Sequence, residues 1–473
     1  MEKQKFARVF LNAALVSALS GASFGAFAAT SSPNVSLGKN LYVAGAVNSN
    51  WKPEVYTDGK LDFNQVSSVS DFALNVGEGP TKLFITWETR GDESWAGEKY
   101  VHAASCQHSV DASASLQNFK VMTSANSTNG VDGDWETVAE VGESGAMSRG
   151  LAIDFAGKSW FRIVAESPVK NLEEVGAYDI SDGANDTWFF MGTSISQMGM
   201  KQFAVDSNFA QLIHARFADY YPAMLRGGIG CVTSQGVVDA LKYYAEYVGN
   251  VRYWAIEMGT NDAWGGSNAN VETFTKNLQT IIDTAKAHGI TPIIARMIAT
   301  NPEIAKWQVH QDYLDAIDKL TKDNELPAGP DFYSYFLEHP EELSTSDGVH
   351  PAEPKGGQSM HRLWAEAVAP LYKYDPCAGL PDVVGCGATS LPKMHNVNFA
   401  LPKVSVNGRE ISISGLREND RVTVMDAMGH VVWNGSANVS FGTSQVLPKV
   451  RAGNYFVNIR GANSNYSTKI LIK

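Results

Sequence analysis

Short alternations of apolar and polar residues fill the first third of the chain. Lys82-Leu-Phe-Ile-Thr-Trp87, Phe119-Lys-Val-Met122 and Trp160-Phe-Arg-Ile-Val-Ala165 each read as a strand, and turn-forming clusters such as Asn126-Ser-Thr-Asn-Gly-Val-Asp-Gly133 separate them. Repeated short strands without a convincing helix predict a β-sandwich over residues 36–168. The texture changes near residue 185. Thr187-Trp-Phe-Phe-Met191 is a continuous apolar run, as in a strand buried on both faces. Helical periodicity follows over Phe203–Tyr221, Val237–Val248, Asn270–His288 and Ser359–Tyr372, with strands at Val251–Glu257 and Ile290–Ala295 between them. Alternating strands and helices specify a central α/β region, residues 180–375, with a parallel sheet and helices on both faces. Reactive residues of such sheets belong at the carboxyl ends of the strands. Residues 376–400, rich in Pro, Gly and Asn, read as a linker. The end, 401–473, returns to β texture at Val404–Val406, Glu410–Ile413, Arg421–Val424, His430–Trp433 and Tyr455–Ile459. The fold class expected is therefore multidomain, α/β at the centre with a β domain on either side.

The chain opens on a different pattern. Lys3, Lys5 and Arg8 precede a mostly apolar run from Val9 to Gly25, and Ala26-Phe27-Ala28 fits a small-x-small cleavage site. This reads as a signal peptide over 1–28, with Ala29 as the mature start and a protein that is secreted or associated with a bacterial cell surface. The formal charge of −12 becomes about −14 once Glu2 and three basic residues are removed. An acidic surface argues against nucleic acid, whose affinity rests on neutralised phosphates, and permits neutral polysaccharide. Four cysteines are too few for a disulfide scaffold. Cys377 and Cys386 flank a turn-rich segment that a disulfide can close in an oxidising compartment; Cys106 and Cys231 can pair or stay free. Neither spacing resembles a zinc site, and no metal or cofactor is expected.

Four short blocks in the α/β region carry chemistry-bearing residues. Gly192-Thr-Ser194-Ile195 follows the apolar strand directly, so the Ser194 hydroxyl is lifted off the sheet edge; alone, this motif is common and equally describes a serine N-cap. Arg226-Gly-Gly-Ile-Gly230-Cys231 allows tight backbone approach, or is an ordinary turn. Gly259-Thr-Asn261-Asp262 offers a neutral amide, Asn261, that can donate to a developing oxyanion without leaving a buried charge. Asp347-Gly-Val-His350-Pro351 puts a carboxylate and an imidazole in one loop, where Asp347 can orient His350 and His350 can reach Ser194.

In this order and spacing the blocks resemble the SGNH (GDSL-like) hydrolase family, whose catalytic domain has a flavodoxin-like α/β fold. The resemblance implies a cofactor-free serine hydrolase with a Ser194–His350–Asp347 triad. It implies an oxyanion hole formed by Ser194, Asn261 and one glycine of the second block, Gly230 by alignment or else Gly228. One departure is clear: Thr193 stands where such families usually carry Asp. That Asp is not the triad carboxylate, so the chemistry does not require it, but the bracing of the nucleophile turn is left open. The stretch Asn118–Ala165 is similar to discoidin-type, galactose-binding-like domains through Asp134-Trp135-Glu-Thr-Val138 and its closing strand. The chain's end resembles C-terminal sorting domains of type IX secretion through Val424-Met-Asp-Ala-Met-Gly429, Ala452-Gly-Asn-Tyr-Phe-Val457 and Thr468-Lys-Ile-Leu-Ile-Lys473, which implies surface or secretion machinery as a partner; a plain accessory β module is the other reading. SGNH hydrolases joined to such β modules are often carbohydrate acetylesterases. The expected activity is therefore removal of acetyl groups from a polysaccharide such as acetylxylan, with Trp264 lining a sugar-accepting groove. A lipase or thioesterase and a non-catalytic glycan-binding surface protein remain the alternatives.

Overall fold

The computed structural model describes residues 29–45, 53–60, 68–89, 95, 112–170, 172–184, 186–200, 207–247, 251–372, 403–414, 421–426, 431–436, 444–446, 451–461 and 464–472. The segments read as a signal peptide (1–28) and a linker (376–400), together with Cys106, Cys377 and Cys386, lie outside them. The chain divides into two compact units, one up to Asp375 and one from Pro376.

The first unit begins with antiparallel sheets. Strands β1 (Leu41–Val43), β2 (Val69–Asn75), β3 (Lys82–Thr89), β4 (Phe119–Ser124), β5 (Glu136–Val141), β6 (Ser148–Asp154), β7 (Trp160–Val169) and β8 (Leu172–Asp179) form a five-stranded sheet ordered β1-β2-β7-β4-β5 and a three-stranded sheet ordered β6-β3-β8. Phe72, Leu74, Val121, Phe161 and Ile163 of the larger sheet share one buried apolar cluster with Leu83, Ile85, Trp87, Ile153 and Val175 of the smaller. The period-2 alternation is what gives each sheet an apolar inner face.

A parallel sheet follows. Its strands are β9 (Thr187–Gly192), β10 (Ala223–Gly228), β11 (Tyr253–Glu257), β12 (Thr291–Arg296) and β13 (Ala328–Asp331), in the order β10-β9-β11-β12-β13. Helices α1 (Ser194–Gly199), α2 (Phe209–Arg216), α3 (Ser234–Tyr247), α4 (Val271–Ala287), α5 (Pro302–Ala305), α6 (Gln311–Asp323), α7 (Phe332–Glu338) and α8 (Lys355–Tyr372) connect them. Adjacent residues of β9 show that both faces are covered: Phe189 meets Tyr244 of α3 at 5.7 Å, while Phe190 meets Phe209 of α2 at 5.2 Å and Trp364 of α8 at 5.9 Å. Successive side chains of a strand point to opposite faces, so α3 lies on one side and α2 with α8 on the other. This explains why β9 is apolar throughout. The order reverses between β9 and β11, and ligand crevices of open α/β sheets form at such a switch point.

Two details depart from the pattern-based reading. The helix expected over 203–221 is described only as α2 and ends at Arg216, with Phe217 as its cap; Pro222 disfavours helical geometry at Tyr221, the last residue of the expected span. The glycine-rich Arg226-Gly-Gly block, read above as allowing tight backbone approach or as an ordinary turn, contributes its first three residues to β10 and pairs with β9 in register. Its glycines hide the strand because they have little intrinsic strand preference.

At the far end of the sheet from Gly192, the Asp186 carboxylate is fully buried and accepts hydrogen bonds from Trp188 Nε1 (2.8 Å) and Tyr372 Oη (2.9 Å). Burial raises its pKa to about 7 despite those two bonds. In the unfolded chain the same carboxyl ionises near pH 4. Between about pH 4 and pH 7 the native state therefore holds a proton that the unfolded state has lost, and stability falls as pH rises through that window. Asp186→Asn keeps an acceptor for both donors and removes the titration. The variant is expected to gain stability relative to wild type on going from pH 4.5 to pH 8, by at most about 4 kcal/mol for roughly three pKa units. Parallel thermal melts of the two proteins at both pH values would speak against this if their difference in Tm did not change.

In the second unit, β14 (Lys403–Asn407), β15 (Glu410–Ser414) and β18 (Ser444–Val446) form one antiparallel sheet, and β16 (Arg421–Asp426), β17 (Val431–Ser436), β19 (Gly453–Gly461) and β20 (Ser464–Ile472) form another, in the orders β14-β15-β18 and β17-β16-β19-β20. Ile411, Ile413, Val422, Val424, Val457 and Ile459 make their shared apolar cluster.

Candidate active site

Three of the four sequence blocks leave the sheet side by side because β10, β9 and β11 are neighbours. Gly192, the last residue of β9, pairs with Gly228 on one side and Glu257 on the other. Two residues further along each strand lie Ser194, Gly230 and Gly259. Close packing shapes this edge. A Cβ on Gly228 would come within 2.2 Å of the backbone nitrogen of Gln197 in α1, so the first turn of the helix that starts at Ser194 rests directly on β10. Gly228 lies within the β10 ladder, whereas Gly230 follows it, buried, next to Cys231. Cys231 is disulfide-bonded, has φ of 57°, and pins this loop.

Ser194 opens α1, with Thr193 as N-cap accepting the Ile195 N–H at 3.2 Å. The fourth block arrives from the other side of the edge, on the loop between α7 and α8. His350 Nε2 lies 2.8 Å from Ser194 Oγ, and His350 Nδ1 lies 3.1 Å from Asp347 Oδ2. Both Ser194 and His350 are partly exposed, so the serine hydroxyl is held yet reachable. The other Asp347 oxygen accepts the N–H groups of Val349 (2.7 Å) and His350 (3.0 Å), and Ser344 Oγ donates to Oδ2 at 3.1 Å. Partial burial alone would raise the Asp347 pKa; the backbone donors and the imidazole outweigh it and hold the carboxyl below its usual range. The loop needs a glycine between the two: Gly348 has φ of +67°, and a Cβ there would sit 2.9 Å from Ile304 Cβ and 3.0 Å from Asn301 O.

Asn261 donates through Nδ2 to the carbonyl of Val232 at 2.8 Å. That bond uses one of two amide hydrogens and fixes the direction of the other. Asp262, the last residue of the same block, accepts the Ser234 N–H (2.9 Å) and hydroxyl (2.6 Å) at the start of α3. It thereby ties the loop after β11 to the loop after β10. Burial raises its pKa against those two bonds.

The residue that the sequence motifs missed is Glu257. It is fully buried beneath the Thr193–Ser194 turn and collects the Thr193 N–H (3.3 Å) and hydroxyl (3.0 Å) and the Ser196 hydroxyl (3.4 Å) on one oxygen, with the Thr260 hydroxyl (3.4 Å) on the other. Burial raises its pKa, opposed by those bonds. An acid closing an otherwise apolar, doubly buried strand was the available signal. Trp307 was also missed: its ring lies 5.3 Å from that of Trp264, which is 55% exposed on the loop after β11. Among the described residues, the group with metal-ligand spacing is His339, Glu341 and Glu342, on a surface turn that includes none of Ser194, Asp347 and His350.

No family model matches the chain, and no curated protein matches it. Among solved structures it is similar to a lipase/acylhydrolase from Enterococcus faecalis, at 18% identity over 38% of this chain and 94% of that one, with a TM-score of 0.31. It is similar to the acetylxylan esterase Axe2 from Geobacillus stearothermophilus, at 15% identity over 40% of this chain and 95% of that one, with a TM-score of 0.30. Protein YXIM from Bacillus subtilis matches over 70% of this chain and 88% of its own, at 14% identity and a TM-score of 0.36.

Proposed function

We propose that this protein is a secreted serine esterase that removes short acyl groups, acetyl above all, from a plant polysaccharide such as acetylxylan. The observation that carries the reading is the continuous chain from Ser194 Oγ through His350 to Asp347, with bonds of 2.8 and 3.1 Å. It stands where β9 ends at the switch point of the parallel sheet, and the order β10-β9-β11-β12-β13 supports a flavodoxin-like catalytic domain. In this reading Ser194 Oγ attacks the acyl carbonyl as its proton passes to His350 Nε2. The imidazolium, paired with Asp347, then returns the proton to the leaving sugar hydroxyl. Water, deprotonated by the same nitrogen, releases the acid from the acyl-enzyme. The N–H groups of Ser194 and Gly230 and the Asn261 amide hold the oxyanion.

Asn261→Ala removes a neutral donor and leaves the triad untouched. Its kcat is expected to fall by about 10²–10³, or roughly 2.7–4 kcal/mol, with little change in KM. A kcat within about twofold of wild type in steady-state assays would remove Asn261 from the oxyanion hole.

The polysaccharide part of the proposal rests on context: the leader, the acidic surface and the antiparallel sheets preceding the α/β region. The exposed Trp264 ring on the loop after β11, with the Trp307 ring tilted by 51° beside it, offers an aromatic face suited to a pyranose. Wild type and Ser194→Ala should be compared on p-nitrophenyl esters of short and long acids and on acetylated xylan. The proposal expects serine-dependent release of acetate from xylan and preference for the acetyl ester. A preference for long acyl chains would replace it with a lipase or thioesterase, and no serine-dependent hydrolysis with a binding protein.

A further inference from the structure

We propose that Glu257 is a positioning residue for the nucleophile, acting through Thr193. The inference rests on the esterase reading above, since it assigns a role toward Ser194. Thr193 is the one departure from the family pattern at the nucleophile turn, and its hydroxyl has two jobs. It accepts the Ile195 N–H at 3.2 Å, which starts the helix carrying Ser194, and it donates to Glu257 at 3.0 Å. A hydroxyl has a single proton on a free rotor. Directing that proton into the Glu257 carboxylate turns a lone pair toward Ile195. The main-chain N–H of Thr193 is held by the same oxygen at 3.3 Å. Both backbone N–H groups that flank Ser194 are thus fixed, one directly and one through the threonine.

The carboxyl also joins the two strands that carry the site. Glu257 ends β11 and pairs in register with Gly192, the last residue of β9. Its other oxygen takes the hydroxyl of Thr260, the neighbour of Asn261, at 3.4 Å. One buried side chain therefore sets the distance between the nucleophile turn and the Asn261 loop. Glu257 is fully buried, so it cannot touch substrate and must act through its neighbours. Misplacement of a reacting group by about 1 Å can cost about 10²-fold in rate.

The test uses the full chain and three variants, with kcat, KM and thermal midpoint measured on p-nitrophenyl acetate. Glu257→Leu removes every acceptor and is expected to lower kcat about 30- to 100-fold with KM changed by less than about threefold. Glu257→Gln keeps one oxygen for the Thr193 N–H and hydroxyl, and its NH₂ can donate to the Thr260 hydroxyl; kcat should recover to within about fivefold of wild type. Thr193→Val deletes the hydroxyl, and with it both the cap to Ile195 and the link to Glu257, and should also lower kcat at unchanged KM. Loss of kcat in the leucine and valine variants with rescue by glutamine supports the inference. Wild-type kcat in Glu257→Leu overturns it, as does equal loss in the glutamine and leucine variants. If Glu257→Leu does not fold, Thr193→Val decides: reduced kcat at constant KM supports the role, and wild-type kcat refutes it. Hydrolysis by wild type that persists in Ser194→Ala would instead sink the esterase reading, and this inference with it.

Discussion

Ser194→Ala is expected to abolish ester hydrolysis, lowering kcat by about 10⁴ or more, while substrate binding and the thermal midpoint stay near wild type. Members of a triad act as a unit, so losing the nucleophile costs nearly as much as losing all three, and what is left comes from binding and the oxyanion donors. Ser194 is partly exposed at the start of α1 and its hydroxyl bonds only to His350 among the described residues. Its removal therefore leaves no buried group stranded, and stability should not move. The helix is capped by Thr193, not by Ser194, so the cap survives as well. Steady-state kinetics and a thermal melt check both halves. A variant that keeps more than about a tenth of wild-type kcat would show that another group does the chemistry.

The second large effect is on stability and lies behind the site. Arg226 of β10 and Glu88 of β3 form an ion pair with side chains only 2% and 3% exposed. Arg226 also donates to the Thr89 carbonyl at 3.1 Å, and its own N–H bonds to Ser148 of β6 at 2.9 Å. This joins the three-stranded antiparallel sheet to the edge of the parallel one. Glu88→Ala strands a buried guanidinium, and breaking a buried pair from one side costs about 3–5 kcal/mol. The thermal midpoint should drop by roughly 10 °C. The double variant Glu88→Leu/Arg226→Met should recover much of that loss, because no charge remains to be desolvated. If Glu88→Ala melts within about 2 °C of wild type, the pair does not bind the two sheets together as described. Arg226 leads directly into Gly228 and Gly230, so partial loss of activity in Glu88→Ala is expected to track unfolding rather than chemistry.

The sequence made the parallel sheet readable because β9 and β11 are buried on both faces and so run apolar up to the Glu257 that closes β11. It hid β10, whose glycines serve close packing against α1 and carry no strand signal of their own. The contact between Asp347 and His350 was legible for a local reason: they share one loop, and their three-residue separation is itself the geometry that lets the carboxylate accept from the ring. The pairing of that loop with Ser194, 156 positions earlier, came only from the order of the blocks. Glu257 was not legible as part of the site. It reads as the end of a strand, and its meaning appears only when the β9–β11 register sets it under Thr193. The same holds for Trp307, which becomes notable only beside Trp264. Thr193 itself stood out in the sequence as an exception, and the structure gives it work as cap and relay.

Covalent labelling tests the central claim most directly. A fluorophosphonate probe reacts with a serine that is both activated by a base and flanked by an oxyanion hole. Incubated with the full protein, it should add one label per chain, and peptide mass spectrometry should place that label on Ser194. Labelling should vanish in Ser194→Ala and fall sharply in His350→Ala. No labelling of wild type, or a label on any residue other than Ser194, would contradict the account.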